Sequence, residues 1–474
     1  MLLTGITLLA GCDKFLEENP DNRVELNTPE KSAQLLTNAY TNAAYTFTEW
    51  MGDNVTYTTG TTKLLEHVQM YNWQDVTSVN QDTPPNFWTA TYDAIAHSNE
   101  VLASISTMTG EEAKKNAVKG EAYLTRAYGH FMLVNIFAKQ YDTQTASSDA
   151  GVPYVEEPET VFIKKYSRQT VEQVYNKIES DLLNGLKFVN GSYYANSGKY
   201  HFTLDAALAF ASRFYLYKGD YNNCIKYSTQ MLGSNPDVFL KDIRLLLKEK
   251  TNPDDFIRLY TSPTDQSNLL MIRNVTNFPV TVGYWPDSNL MSLIFQSNPW
   301  NASDIRYSND IPLYVRGDNG LAVGKYQFLF ERSSLTSNVG LYYTVNPVFR
   351  GEEVLLNRAE SYAAQSKTAL AYADLQYIVN KRYEGTRSMT RDVLRNYYGS
   401  TDDRNNLILF ILEERRKEFI SEGMRWFDIK RNRILVNHLQ ADGSSIRLTR
   451  DDLRKIIQIP QSAIDIGGLK PNSR

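Results

Sequence analysis

LILFILEERRKEFISEGMRWFDIKR, Leu407 to Arg431, is the stretch whose reading decides the fold. Leu409, Leu412, Arg416, Phe419, Gly423 and Phe427 recur at steps of three and four. That period marks one face of an α-helix. Glu413 with Lys417, at i,i+4, and Glu414 with Lys417, at i,i+3, support the helix weakly. A charge run such as Glu413–Glu418 is ordinarily a solvated face. Here it runs into Gly423-Met424-Arg425-Trp426-Phe427-Asp428, and a Gly, two aromatics and an Arg/Asp pair predict a tightly packed corner. Arg425 and Asp428 are expected to hold that corner by charge-assisted hydrogen bonds.

The stretch resembles the signature of the SusD/RagB family, which reads loosely E-R-x-x-E-F-x-x-E-G-x-R-x-x-D. Glu414, Arg415, Glu418, Phe419, Glu422, Gly423, Arg425 and Asp428 occupy its positions here. The motif is architectural in that family and serves as a fold marker. Two further segments carry the likeness. Trp88, Tyr92, Ile95, Asn99 and Leu102 resemble the family's W-x-x-x-Y-x-x-I-x-x-x-N-x-x-L helix, and Ile459-Pro460 its closing segment. The resemblance implies a cell-surface lipoprotein without cofactor or catalysis. Such a protein captures an oligosaccharide, or a peptide in RagB-like members, and acts as the lid of a SusC-like TonB-dependent barrel in the outer membrane.

The N-terminus agrees with that implication. Met1–Gly11 is apolar, too short for the roughly 20 residues of a spanning helix, and reads as a signal-peptide core. Leu9-Ala10-Gly11-Cys12 resembles a lipobox, which makes Cys12 the expected site of lipid attachment and outer-membrane anchoring. Residues 13–27 are polar and irregular, a tether.

Thr28-Pro29 supplies an N-cap and a first-turn proline, and Leu35, Leu36, Ala39, Tyr40, Ala43 and Ala44 follow at helical spacing. Trp50–Trp73 lacks sustained periodicity and reads as a long loop. Helices are predicted over Trp88–Ile105, Lys114–Lys139 and Thr170–Phe188. Thr203–Leu232 reads as two helices joined at Gly219-Asp220, with small residues where they cross, similar to a tetratricopeptide repeat. Glu353–Arg382 reads as a second such pair.

Eight of the 16 prolines fall between Pro236 and Pro347, and helices cannot run through that punctuation. The fold class is therefore mostly α. Tetratricopeptide-like helix pairs are expected to pack against an irregular, loop-rich half with short helices and few strands. The divisions are 1–12 leader, 13–27 tether, 28–232 helical part, 233–350 irregular region, and 351–474 second pair, signature helix and tail.

The 474 residues carry a net charge of −4, which gives nucleic acid no electrostatic footprint. The five histidines are scattered, with no pair at metal-ligand spacing, and neither a phosphate-cradling Gly loop nor a GxSxG elbow is present. With 54 acidic residues some carboxylate pair always exists, so a secreted hydrolase stays open as a reading from another class, as does a helical adaptor. Cys224 reads as a buried thiol. Of the aromatics, Trp88 and Trp426 sit on helical motifs and are expected in the core. Trp50, Tyr57, Tyr71, Trp73, Tyr284, Trp285 and Trp300 lie in or beside loops, where burial is not automatic. Flat rings stack on sugar faces, and amides such as Asn301 bond the hydroxyls. The expected site joins Tyr57, Tyr71, Trp73, Tyr284, Trp285, Trp300 and Asn301, with Trp285 and either Trp73 or Trp300 as an exposed platform.

Overall fold

The computed structural model describes residues 25–161, 164–194 and 198–474. The leader, the lipobox Cys12 and most of the tether lie outside the described residues. Thr28 caps α1 (Pro29–Leu36) by accepting from the Lys31 amide. The helix stops there, and the expected continuation to Ala44 does not form. The Asn42 carbonyl instead accepts from the Val275 amide at 2.7 Å, and Ala43 bridges Val275. Backbone committed to a strand neighbour cannot also close helical turns. The predicted loop over Trp50–Trp73 contains α2 (Leu65–Tyr71), which begins at Leu64 without a side-chain cap. No start signal marks it in the sequence.

Three long helices follow. They are α3 (Pro84–Ser104), α4 (Glu112–Phe137) and α5 (Val171–Phe188). α4 packs between the other two. A Cβ on Gly120 would lie 2.6 Å from the Phe188 carbonyl carbon, and one on Gly185 would lie 2.5 Å from Leu124, so α4 and α5 approach more closely than side chains permit. Arg126 of α4 meets Asp181 of α5 with two bonds of 2.7 and 2.8 Å. The first predicted pair is α6 (Leu204–Lys218) and α7 (Tyr221–Leu232), turned by Gly219 at φ +77° and capped by Asp220. Buried Cys224 sits on α7, its thiol pushed up to about 11 by burial.

The irregular region opens with α8 (Ile243–Glu249) and α9 (Pro253–Tyr260), then β1 (Asn268–Val275) and α10 (Ser288–Gln296). Ile243, Phe256, Tyr260, Met291 and Phe295 form a small core of their own there. Two antiparallel hairpins follow, β2 (Leu313–Arg316) with β3 (Gly320–Val323), and β4 (Phe328–Arg332) with β5 (Gly340–Arg350). β5 also pairs with β1, giving the sheet order β1-β5-β4.

The second predicted pair is α11 (Gly351–Ala364) and α12 (Thr368–Arg382), followed by α13 (Arg391–Tyr398). Arg213 of α6 meets Glu353 of α11 through two bonds of 2.6 Å, and Arg358 of α11 meets Asp374 of α12 at 2.7 and 2.8 Å. The helix pairs are thus joined by buried Arg–carboxylate forks, which fix orientation as well as distance.

The deciding stretch forms two helices, α14 (Asp403–Glu418) and α15 (Met424–Arg431). The break falls at Ser421 and Gly423, with φ of +65° and +77°. The inward face also differs from the predicted one. Leu409 is 39% exposed, while Glu414, Arg415 and Glu418 are buried. The charge run is core, not a solvated face. The chain ends in the hairpin β6 (Val436–Leu439) with β7 (Ser445–Leu448) and the short α16 (Gln461–Asp465).

Candidate functional site

The corner between α14 and α15 fixes what lies beside it. Buried Glu49 accepts from the Ser421 and Gly423 amides, each at 2.8 Å, so its carboxylate caps the broken helix. Arg425 grips Asp53 at 2.8 and 2.9 Å, and Asp428 accepts from Arg415 at 2.9 Å and Arg431 at 2.8 Å. Burial works against the Asp53 and Asp428 charges, but the facing arginines outweigh it and hold both carboxyls below the usual range. On the other side, Glu418 takes Arg382 at 2.8 Å and Arg306 at 3.3 Å, and Glu414 takes Arg306 at 2.8 Å. These arginines, Arg382 first among them, hold the Glu418 carboxyl well below its usual range against the cost of burial.

The corner also anchors the irregular half. Lys325 donates to the Glu418 carbonyl at 2.7 Å and to Glu422 at 2.9 Å, and Tyr326 donates to the Ser421 carbonyl at 2.5 Å. Lys325 and Tyr326 lead directly into β4, so the hairpin after them is held from the corner.

A cavity of about 680 Å³ opens there, between α9, the turn at Pro279-Val280, the β2–β3 hairpin and the start of β4. Trp285, Tyr314, Tyr326 and Phe328 line it with Asn252, Asp254, Asp255, Arg258, Arg316 and Gln327. Its size lies within the range of small-molecule sites, and aromatic walls with a few polar groups are their usual lining. The two carboxylates are neighbours on the first turn of α9, not a pair facing each other across a cleft.

The expected site residues fall in three places. Trp285 is 2% exposed, its indole N–H donating to the Thr281 carbonyl at 3.1 Å, yet it contributes to the cavity wall. Trp73, Tyr71, Tyr284 and Tyr57 come together in one interior column with His438. Trp73 stacks on His438 at 4.5 Å, His438 on Tyr71 at 4.1 Å and Tyr71 on Tyr284 at 3.7 Å, while Tyr57 meets Tyr284 edge-on at 6.2 Å. Lys63 covers the Tyr57 end. Trp300 lies elsewhere, packed on Tyr383 and Phe410, with exposed Asn301 beside it at φ +48°. The exposed platform of Trp285 with Trp73 or Trp300 is therefore not formed. The indole N–H of Trp73 is satisfied inside by the Met51 carbonyl, and that of half-buried Trp300 by the Ser388 carbonyl.

Sequence reasoning missed Tyr314, Tyr326, Phe328 and Arg316. The signal was available. Asp318-Asn319-Gly320 sits between the short apolar runs Leu313–Val315 and Leu321–Val323, the pattern of a hairpin. Thr59 staples that turn, accepting from Asp318 and donating to Asn319.

Two family profiles match the chain. One, described as "Starch-binding associating with outer membrane", matches residues 14–216, and one described as "SusD family" matches residues 325–464. The chain belongs to the SusD/RagB family. SusD-like protein P2 of Formosa agariphila is 24% identical over 381 residues, covering 73% of this chain and 71% of that protein. A solved putative sugar-binding protein of Bacteroides vulgatus shares the fold with a TM-score of 0.71 at 21% identity, covering 95% of this chain and 99% of that one. A solved laminarin-binding SusD-like protein aligns with a TM-score of 0.63 at 16% identity, covering 94% of this chain and 98% of that one. The SusD/RagB signature here is thus the α14–α15 corner, and the cavity lies in the half that the corner anchors. Among the described residues no helix is long and apolar enough to cross a membrane.

Proposed function

We propose that this SusD/RagB protein is a cell-surface binding protein that captures an oligosaccharide in the cavity beside β2–β3. It hands the sugar to a SusC-like TonB-dependent barrel, over which it acts as the lid. The observation that carries the reading is the cavity wall, where Trp285, Tyr314, Tyr326 and Phe328 supply apolar surface and Asn252, Asp254, Arg316 and Gln327 supply hydroxyl partners. Of the aromatics expected from sequence, Trp285 keeps a place in the cavity wall, behind the more exposed Tyr314 and Phe328. Tyr57, Tyr71, Trp73 and Tyr284 act from behind, as the column that supports the Trp285 segment. Starch association in the family's description and laminarin binding by one structural relative support a glycan as ligand. The aromatic lining and the lack of a facing carboxylate pair favour it over a hydrolytic cleft. Handover sets an upper bound on affinity. A dissociation constant in the micromolar range, about −8 kcal/mol, lets cargo leave for the barrel.

The test is titration of the purified protein with starch- and laminarin-derived oligosaccharides and with a mixed peptide pool. Micromolar glycan binding lost in Tyr314→Ala is expected, and binding of peptides alone would assign the RagB-like alternative. Surface attachment is proposed to rest on lipid at Cys12. Cys12→Ala should leave the membrane fraction and keep its melting temperature, and a variant that still sediments with membranes contradicts the anchor.

A further inference from the structure

Arg316 is half-buried in the cavity wall, and among the described residues no carboxylate lies within ion-pair distance of it. A guanidinium has five N–H donors. Nε and one Nη2 hydrogen are spent on the Pro279 carbonyl, at 3.2 and 2.5 Å, and one Nη1 hydrogen on the Val315 carbonyl at 3.1 Å. That leaves one N–H on each terminal nitrogen, the pair that an oxyanion takes with two parallel bonds. The carboxylates in the same wall do not neutralise it. Asp255 is occupied by Arg258 at 3.3 Å, and Asp254 is exposed at the rim with only the Tyr314 hydroxyl beside it at 3.5 Å. Burial lowers the basicity of Arg316; only the Tyr314 phenol works against that, and no carboxylate does. Half-burying an unpaired cation is unfavourable unless something pairs with it.

We infer that the cavity is built for an acidic oligosaccharide, one bearing a carboxylate or a sulfate ester that Arg316 binds end-on while the neighbouring ring of Tyr314 packs on the sugar. The inference rests on the proposed glycan function and narrows its substrate class. The carbonyl bonds of Arg316 brace β2 against the Pro279 turn, so they pre-set the guanidinium instead of competing with the ligand.

The experiment is titration calorimetry with matched pairs that differ only in charge. One pair is oligogalacturonate and its carboxyl-reduced form. The other is sulfated laminari-oligosaccharide and its unsulfated parent. In at least one pair the charged member should bind about tenfold or more tightly, with the gap narrowing at high salt. The pair that shows the gap identifies carboxylate or sulfate as the anion. Arg316→Gln should erase the gap between the charged and neutral members of the pair, and Arg316→Lys should restore part of it, since lysine keeps the charge without the fork. A purely bracing Arg316 would lower both members of a pair equally, so a gap that survives Arg316→Gln overturns the inference. Equal binding of charged and neutral members overturns it while leaving glycan capture standing. Failure of all four probes and of the starch-derived oligosaccharides to bind overturns both.

Discussion

The α14–α15 corner and the cavity wall at β2 are both rich in arginine, and they use it in opposite ways. At the corner every arginine meets carboxylate, Arg306 with Glu414, Arg382 with Glu418, Arg415 with Asp428 and Arg425 with Asp53. At the cavity Arg316 meets two backbone carbonyls and keeps hydrogens free. The difference separates charge that specifies a fold from charge that awaits a ligand. The first is spent inside the molecule, and its removal is felt as stability. The second is left open, and its removal is felt as affinity.

The largest break in this contrast should come from Glu418→Ala. It removes the carboxylate that Arg382 and Arg306 share, leaving Glu352 alone on Arg382 and Asp304 with Glu414 on Arg306, and removing one partner from a buried ion-pair network costs about 3–5 kcal/mol. Urea unfolding should show that loss, with ligand affinity of the folded fraction unchanged. Glu49→Gln comes next. One of the two amide donors at Ser421 and Gly423 then faces an NH2 group, a loss of about 1–3 kcal/mol, readable by the same unfolding curve.

Acid sharpens the contrast further. Asp53, Glu418 and Asp428 have depressed folded values, so their contribution is complete above the unfolded carboxylate pKa of about 4 and is lost as pH falls through the folded values. Asp82 has the opposite sign. Burial raises it to about 6, although Thr276 and the Asn277 amide bond it beside the Pro279 turn. The folded state therefore takes up a proton first, and this group adds stability as pH falls from about 6 to about 4. Buried His67, His130 and His438 have lowered folded values and act in the opposite direction, so the readout is the difference: between pH 7 and 5 the melting temperature of the wild type should rise relative to that of Asp82→Asn.

The helix pairs were legible because Gly219-Asp220 and the small residues around it encode a local turn that tertiary contacts did not override. The corner was legible in its residue types but not in its orientation. Periodicity arguments assume that apolar residues face inward, and this helix buries Glu414 and Arg415 while Leu409 stays 39% exposed. The loop tryptophans were unreadable for another reason. Trp73 and Trp300 are held by carbonyls 22 and 88 residues away, and Trp50 is buried against Phe278 with no partner for its indole N–H among the described residues. Nothing local specifies such partners. The cavity itself is assembled from α9, the Pro279 turn and two hairpins, and only the hairpin turn left a mark in the sequence.

The cavity binds and the corner holds, and the two roles separate by mutation. That separation is tested most directly by titrating one oligosaccharide that binds the wild type into Tyr314→Ala and Arg425→Ala, with melting measured on both. Tyr314→Ala should lose about 1–3 kcal/mol of affinity and keep its melting temperature. Arg425→Ala, which strips Asp53 of its two-bond partner, should melt earlier and keep its affinity. Unchanged affinity in Tyr314→Ala together with lost affinity at unaltered melting in Arg425→Ala would contradict that separation and place the site at the corner.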